Sequence, residues 1–346
     1  MKTKAWATHA ANKPLEPFEF DRRDPGPLDV AIDILFAGIC HSDIHQARNE
    51  WGGSQFPMVP GHEIIGRVTA VGAKVTKFKV GDVAGVGCMV DSCRVCASCT
   101  QGDEQFCEKG AAWTYNGTEM DRTTRTHGGY ARSVVVTESF VFQIPPHLAL
   151  EGVAPLLCAG ITTYAPLREW NCKKGARVAV VGLGGLGHMA VKLAAAMEAE
   201  VTMLSTSPSK QADAERLGAT AFALTSDDST FKKMNNYFDL IINTISVSHD
   251  INKYLSLLHS RGAMAIVGAP PTPYQLHPMS LISGNRRLAG SLIGGLKLTQ
   301  EMLDFCGKHK IVSDVEVIPA QQINAAYERM LANDVRYRFV IDASTI

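Results

Sequence analysis

Four of the nine cysteines, Cys93, Cys96, Cys99 and Cys107, fall within 15 residues, separated by two, two and seven positions. A loop so spaced can wrap four thiolates tetrahedrally around one zinc ion and leave no position open, which is structural zinc chemistry. Iron–sulfur clusters also start from tight cysteine spacing, but the ferredoxin-type run brings its fourth cysteine sooner and follows it with proline. Here the last gap is seven residues and Glu108 follows, so the loop reads as a structural zinc site.

A catalytic zinc needs three protein ligands and one open position for water or substrate. Residues of the right type are Cys40 in Gly38-Ile39-Cys40-His41-Ser42-Asp43, His62 and Glu63 after Gly61, and Cys158 between Leu157 and Ala159. Cys40 and Cys158 have apolar neighbours and read equally well as core, and spacing does not connect the four. Cys88, Cys172 and Cys306 show no partner pattern and read as packing residues.

Residues 177–187 read RVAVVGLGGLG, an apolar strand running into Gly182, Gly184, Gly185, Leu186 and Gly187. A strand-to-helix turn at a dinucleotide needs glycine first for its bend, second for close approach of the pyrophosphate, and third for helix packing. The following helix N-terminus then faces the phosphate charge. NAD sites usually place a carboxylate at the end of the next strand to accept from the ribose hydroxyls. That strand ends here in Leu204-Ser205-Thr206-Ser207-Pro208-Ser209-Lys210, with no acid. Hydroxyls and an ammonium would instead donate to a 2′-phosphate, so Ser205, Thr206, Ser207 and Lys210 predict NADP(H). Ser207 or Ser209 can also be read as a helix N-cap.

These groups need a scaffold of more than one core, and 346 residues suffice for two domains. Residues 1–150 are rich in Gly, Pro and short β-branched runs at 30–35, 64–71 and 133–137, the pattern of an irregular, mostly β domain. From residue 174 the pattern alternates, with strands expected at 177–182, 200–206, 220–225, 238–245, 263–269 and 287–293 and helices at 186–197, 209–217 and 251–259. Such alternation predicts an α/β fold with a doubly wound parallel sheet. Helices at 299–309 and 323–332 and a strand at 338–341 form a tail expected to return to the first domain.

Lys+Arg and Asp+Glu balance at 34 each, which leaves no global field to hold nucleic acid or an anionic membrane surface. The N-terminal residues lack the apolar core of a signal peptide, and the longest uncharged run, 262–285, contains four prolines, which argues against a membrane-spanning helix. The expected setting is the cytoplasm, where clustered cysteines bind metals more often than they pair.

Together these segments resemble the zinc-containing medium-chain alcohol dehydrogenases, and within them the cinnamyl alcohol dehydrogenase group. The resemblance runs through GICHSDIH from Gly38, GHEIIGRV from Gly61, the four-cysteine loop, PLLCAGITTY from Pro155, GLGGLGH from Gly182 and STSPSK from Ser205. It implies a GroES-like catalytic domain with two zinc sites over 1–155, a Rossmann NADP-binding domain over 156–292, a C-terminal return over 293–346, and a cleft between the domains. Carried over residue by residue, it makes Cys40, His62 and Cys158 the catalytic zinc ligands, with Glu63 beside the metal and Asp43 orienting His62. Ser42 and His45 match the proton relay, His41 lies near the pyrophosphate and Thr162 near the nicotinamide. Trp113 matches an aromatic position of the substrate pocket, and Trp51 is a second candidate there.

The implied reaction is reversible hydride transfer between NADPH and an aldehyde, aromatic or medium-chain aliphatic, to give the primary alcohol. Two zinc ions per chain and a homodimer joined through the 287–293 edge strand are expected. Residues 118–126, with Asp121, Arg122 and Arg125, are more charged than the plant-type pattern. Other readings of the same fold are a polyol or formaldehyde dehydrogenase and a non-catalytic NADPH-binding relative, which would be expected to lack a catalytic zinc ligand.

Overall fold

In the computed structural model, which describes residues 1–346, the chain forms two units: Met1–Cys158 with Gly294–Ile346, and Ala159–Ile293. The spine of the first is the strand Asp29–Ile39, whose Val30, Ile32 and Ile34 are almost wholly buried. It pairs antiparallel with Ile64–Val71, where two register shifts interrupt the ladder, and with Ser133–Thr137. Bulges of this kind bend a strand and raise its local twist. Toward its end the same strand takes a different antiparallel neighbour, Arg338–Asp342, in the register Phe339↔Ile39 and Ile341↔Ala37. Val315–Pro319 lies parallel beyond that, so the last segment of the chain completes the first unit's sheet.

The second unit is a six-stranded parallel sheet with the spatial order Ala221–Leu224, Glu200–Ser205, Arg177–Val181, Phe238–Asn243, Leu258–Ile266, Arg287–Gly290. Val178 to Val181 are buried on both faces, as central strands of a helix-covered parallel sheet must be. Strand order reverses beside Arg177–Val181, the place where open α/β sheets bind ligands beyond their carboxyl ends. The α/β architecture and the six strands agree with the sequence reading.

Several boundaries do not. The helix expected over 251–259 stops at Leu255, and the next strand begins at Leu258, five residues early. Leu255, Leu257 and Leu258 are all buried, so the apolar run passes from helix to strand with no break in hydrophobicity. The edge strand ends at Gly290, and 291–293 leave the sheet. A helix not foreseen, Asp228–Lys233, starts where Asp227 accepts from the Ser229 amide at 2.8 Å. No single helix is long and apolar enough to cross a membrane.

The glycines after Arg177–Val181 differ in what holds them. Gly182 has φ +91°, the left-handed region that favours glycine. A Cβ on Gly187 would stand 1.9 Å from the Gly182 carbonyl oxygen, whereas one on Gly184 would meet nothing within 4 Å. Gly187→Ala is therefore expected to cost roughly 1–3 kcal/mol of stability through overpacking, read as a lower urea midpoint. Gly184→Ala should unfold at the wild-type midpoint.

Candidate active site

The strand Asp29–Ile39 delivers the chain to Cys40, the N-cap of the helix His41–Ala47. Asp43, in that helix's first turn, accepts from the Cys40 amide through Oδ2 at 2.9 Å, which satisfies a donor the helix itself leaves open. Its other oxygen accepts from the Gly61 amide at 3.1 Å and faces His62 Nδ1 at 3.1 Å. One fully buried carboxylate thus joins the helix start to the loop before Ile64–Val71. Asp43 occupies Nδ1 of His62, which leaves Nε2 as the ring's free ligand nitrogen.

Cys158 reaches the same place, its sulfur 4.0 Å from that of Cys40. Thiolates about 2.3 Å from a tetrahedral zinc stand roughly 3.8 Å apart. Cys40, His62, Glu63 and Cys158 offer donor atoms all within 4.8 Å of one another, so four residues that spacing left unconnected share one point. The Cys158 thiol holds Cys40 well below the usual thiol range, and Cys158 is itself pushed well up by the bonds with Cys40 and Cys88. Two thiols, an imidazole and a carboxylate are a fitting donor set for zinc.

Glu63 is also buried, and Arg338 donates to its Oε1 at 2.5 Å while bonding the Ile39 carbonyl at 2.8 Å. Burial lifts the Glu63 carboxyl to about 7 against the opposing pull of Arg338. Its Oε2 has no partner, consistent with an oxygen facing a cation. Room for it depends on Gly38, where a Cβ would lie 1.9 Å from Oε2.

Ser42 Oγ is 3.6 Å from Cys40 Sγ. His45, one turn further along the helix, pairs through Nδ1 with Glu50 Oε2 at 2.5 Å and stacks on Trp51 at 4.8 Å between ring centroids. His41 is exposed and sits 6.4 Å from the His45 ring. Trp51 and Trp113 expose 53% and 38% of their surface, so neither indole is core. Trp113 pairs with Met89 in a short ribbon, and the structure shows no contact that joins it to Trp51. Sequence reasoning missed three participants: Glu50, which reads as an exposed helix-end acid; Arg338, far away in the chain; and Cys88, whose thiol interacts with Cys158. Cys88 also donates to the Leu157 carbonyl at 3.8 Å and stays outside the four-residue donor set.

In the other cluster, Cys93, Cys96, Cys99 and Cys107 also converge within 4.8 Å. The amides of Cys96, Glu108 and Cys93 aim at the sulfurs of Cys93, Cys96 and Cys107, each at 3.4 Å. Amide donors favour the anionic form of sulfur, and bonds led by the Val95 amide bring Cys93 down to about 6. Four such sulfurs around one point suit zinc.

In the second unit the strand end at Ser205 turns into the short helix Pro208–Lys210. Ser205 is buried and accepts from the Ser207 amide at 3.2 Å, and Ser207 and Ser209 share a hydroxyl bond of 2.9 Å. Ser207 stands at the N-cap position but makes no side-chain cap bond, so capping does not account for these serines. Thr206 is exposed and Lys210 half-buried. Thr162 is buried on the helix Ala159–Glu169. Open space in front of Gly184 and a strand end without a carboxylate fit a phosphorylated dinucleotide.

Residues 26–146 match the Alcohol dehydrogenase GroES-like domain family and residues 185–308 the Zinc-binding dehydrogenase family. NADP-dependent alcohol dehydrogenase C of Mycobacterium bovis is 54% identical over 342 residues, covering 99% of both chains. Aldehyde reductase YahK of Escherichia coli is 50% identical over 348 residues, covering all of this chain and 99% of its own. The crystal structure of the Helicobacter pylori cinnamyl alcohol dehydrogenase complexed with NADP(H) superposes with a TM-score of 0.93 at 44% identity, over 99% of each chain.

The two cysteine sets differ in how they are held, which separates their mutants. Cys96→Ser is expected to lower melting temperature and soluble yield, because only short elements, the helices Ala97–Gln101 and Glu104–Phe106, lie between the four sulfurs and a structural metal supplies folding energy there. Cys158→Ser should keep the fold and lose activity together with about one zinc per chain. Metal analysis beside circular dichroism melts checks both, and an active, folded Cys158→Ser refutes the assignment.

Proposed function

This chain belongs to the zinc-binding alcohol dehydrogenase family, and on that premise we propose that it is an NADP-preferring aldehyde reductase, reversibly interconverting an aromatic or medium-chain aliphatic aldehyde and its primary alcohol. The observation that carries the reading is the convergence of Cys40, His62, Cys158 and Glu63. Cys40, His62 and Cys158 hold the catalytic zinc, Glu63 stands beside it under the restraint of Arg338, and the four-cysteine loop holds the structural zinc. In the second unit Gly182, Gly184, Gly185, Leu186 and Gly187 receive the pyrophosphate, Ser205, Thr206, Ser207 and Lys210 the 2′-phosphate, and Thr162 lies toward the nicotinamide. When bound, zinc supplies a Lewis acid at the substrate oxygen and NADPH supplies the hydride.

The chain's own residues manage the proton. Ser42 Oγ donates to the oxygen on which charge develops, and His45 restores that proton. Glu50 fixes the His45 ring through Nδ1 and offsets its charge when it is doubly protonated. Trp51 covers one face of the same ring and, with Trp113, offers apolar surface to the substrate.

The edge strand Arg287–Gly290 has a neighbour on one side only, and Leu292 and Ile282 nearby are exposed. An unprotected edge of this kind favours strand pairing with a second copy, so the protein is a homodimer in this reading. Nine free cysteines suit a reducing compartment such as the cytoplasm.

An assay of NADPH oxidation with benzaldehyde, cinnamaldehyde and a series of linear aldehydes should show turnover of several substrates, with about two zinc ions per chain. Light scattering at micromolar concentration should give the dimer mass, and a monomer removes the edge-strand interface. Lys210→Ala should lower kcat/KM for NADPH by about ten- to a hundredfold, the worth of a charged hydrogen bond, through KM with kcat held. NADH kinetics should hardly change, and a wild-type protein using NADH as well as NADPH sinks the phosphate site.

A further inference from the structure

We propose that Tyr130, backed by Tyr327, is a positioning residue for the Cys40–His62–Cys158 metal site, because its hydroxyl fixes the carboxylate of Asp43 that orients His62. The proposal rests on the metal reading above.

A carboxylate has about four sites at which to accept hydrogen bonds, and Asp43 with no exposed surface must fill them from protein. Oδ1 takes the Gly61 amide and the His62 ring, and Oδ2 takes the Cys40 amide and the Tyr130 hydroxyl at 3.1 Å. Three of these donors belong to the ligand residues or their immediate neighbour. The Tyr130 hydroxyl comes from elsewhere in the chain, as does Tyr115, whose side chain also interacts with Asp43, so Tyr130 can hold the carboxylate independently of the groups the carboxylate must place.

The direction of the bond is also set. A phenol has one proton to give, and Tyr327, on the helix Ile323–Leu331, donates to the Tyr130 oxygen at 3.5 Å. An ionised carboxylate only accepts, so the Tyr130 proton goes to Asp43. Burial, reinforced by the Asp43 charge, pushes both phenols well above their ordinary range, so both remain donors. The ring cannot drift. Its backbone donates to Pro60 and accepts from Trp6, the side chain is wholly buried, and a Cβ on Gly61 would lie 2.7 Å from its Cδ1. On the other side of the site Tyr115 stacks against the His62 imidazole at 5.8 Å and 19°. The imidazole is thus held on its face by one tyrosine and, through Asp43, at its edge by another.

Without the Tyr130 hydroxyl, Oδ2 loses one of its donors, and the carboxylate turns more freely about its Cβ–Cγ bond and loosens the His62 orientation. Outer partners of metal ligands are worth about ten- to a hundredfold in metal affinity or activity. The test follows zinc release from the native holoenzyme into a chromogenic chelator. The catalytic phase is the one missing from Cys158→Ser. Tyr130→Phe should speed that phase by about tenfold and leave the other phase unchanged, and Tyr327→Phe should speed it by a smaller factor. In the cobalt-substituted protein the visible ligand-field bands should shift with Tyr130→Phe.

A Tyr130→Phe protein that melts lower yet releases catalytic zinc at the wild-type rate, with unmoved cobalt bands, overturns the proposal and leaves Tyr130 a packing residue. Slower release overturns it as well, since the hydroxyl would then only draw charge from Asp43. If Tyr130→Phe does not fold, Tyr327→Phe decides by the same readout. A wild-type protein with no Cys158-dependent phase overturns the metal reading itself and this proposal with it.

Discussion

A carboxylate with no contact with water is tolerated only when protein donors replace its hydration, and Asp43 imposes that requirement on everything around it. Its bonds to the Cys40 amide, the Gly61 amide and His62 Nδ1 place a helix N-terminus, a glycine turn and an imidazole with one stroke. Cys40 is where it is because the helix His41–Ala47 must start there for Asp43 to reach back. Gly61 needs its φ of +106° to present its amide to the same oxygen. Truncating Asp43 would leave several donors without an acceptor, which is costlier than the loss of any one bond.

The two cysteine clusters reach similar ends by opposite routes. Cys93 to Cys107 form a local device, in which the chain's own amides point at the sulfurs and little else is required. Cys40, His62 and Cys158 are brought together by the sheet. Two of them follow neighbouring strands or sit before one, and the third lies at the last residue of the first stretch of its unit. A local loop resists rearrangement in the rest of the fold. An assembled site can be adjusted by residues remote in sequence, as Arg338 adjusts Glu63.

That contrast also sorts what could be read without coordinates. The four-cysteine loop was legible from spacing because its geometry lies within a single loop. The strand, turn and helix at 177–196 were legible because an apolar strand runs straight into a glycine turn in which Gly182 and Gly187 have steric reasons of their own. Cys40, His62 and Cys158 came from family resemblance, since nothing in their intervals encodes a meeting point. Glu50 escaped notice because an acid after a helix usually means a solvated surface. Arg338 and Tyr130 escaped because their roles depend on strand pairing and on a carboxylate whose burial is invisible in one dimension. The shift of the strand start to Leu258 has the same origin: apolar residues do not say which element buries them.

The pairing of Arg338–Asp342 with Asp29–Ile39 has a consequence for the order in which the molecule is made. The second unit, Ala159–Ile293, leaves the ribosome as one uninterrupted stretch and can close its sheet while synthesis continues. The first unit cannot, because two of its strands, Val315–Pro319 and Arg338–Asp342, follow the whole of the second unit in the chain. Until they emerge, part of the edge of Asp29–Ile39 stands open and Glu63 has no counter-charge. The unit whose synthesis starts before the other's is thus closed after it, once Arg338–Asp342 has reached its place beside Asp29–Ile39.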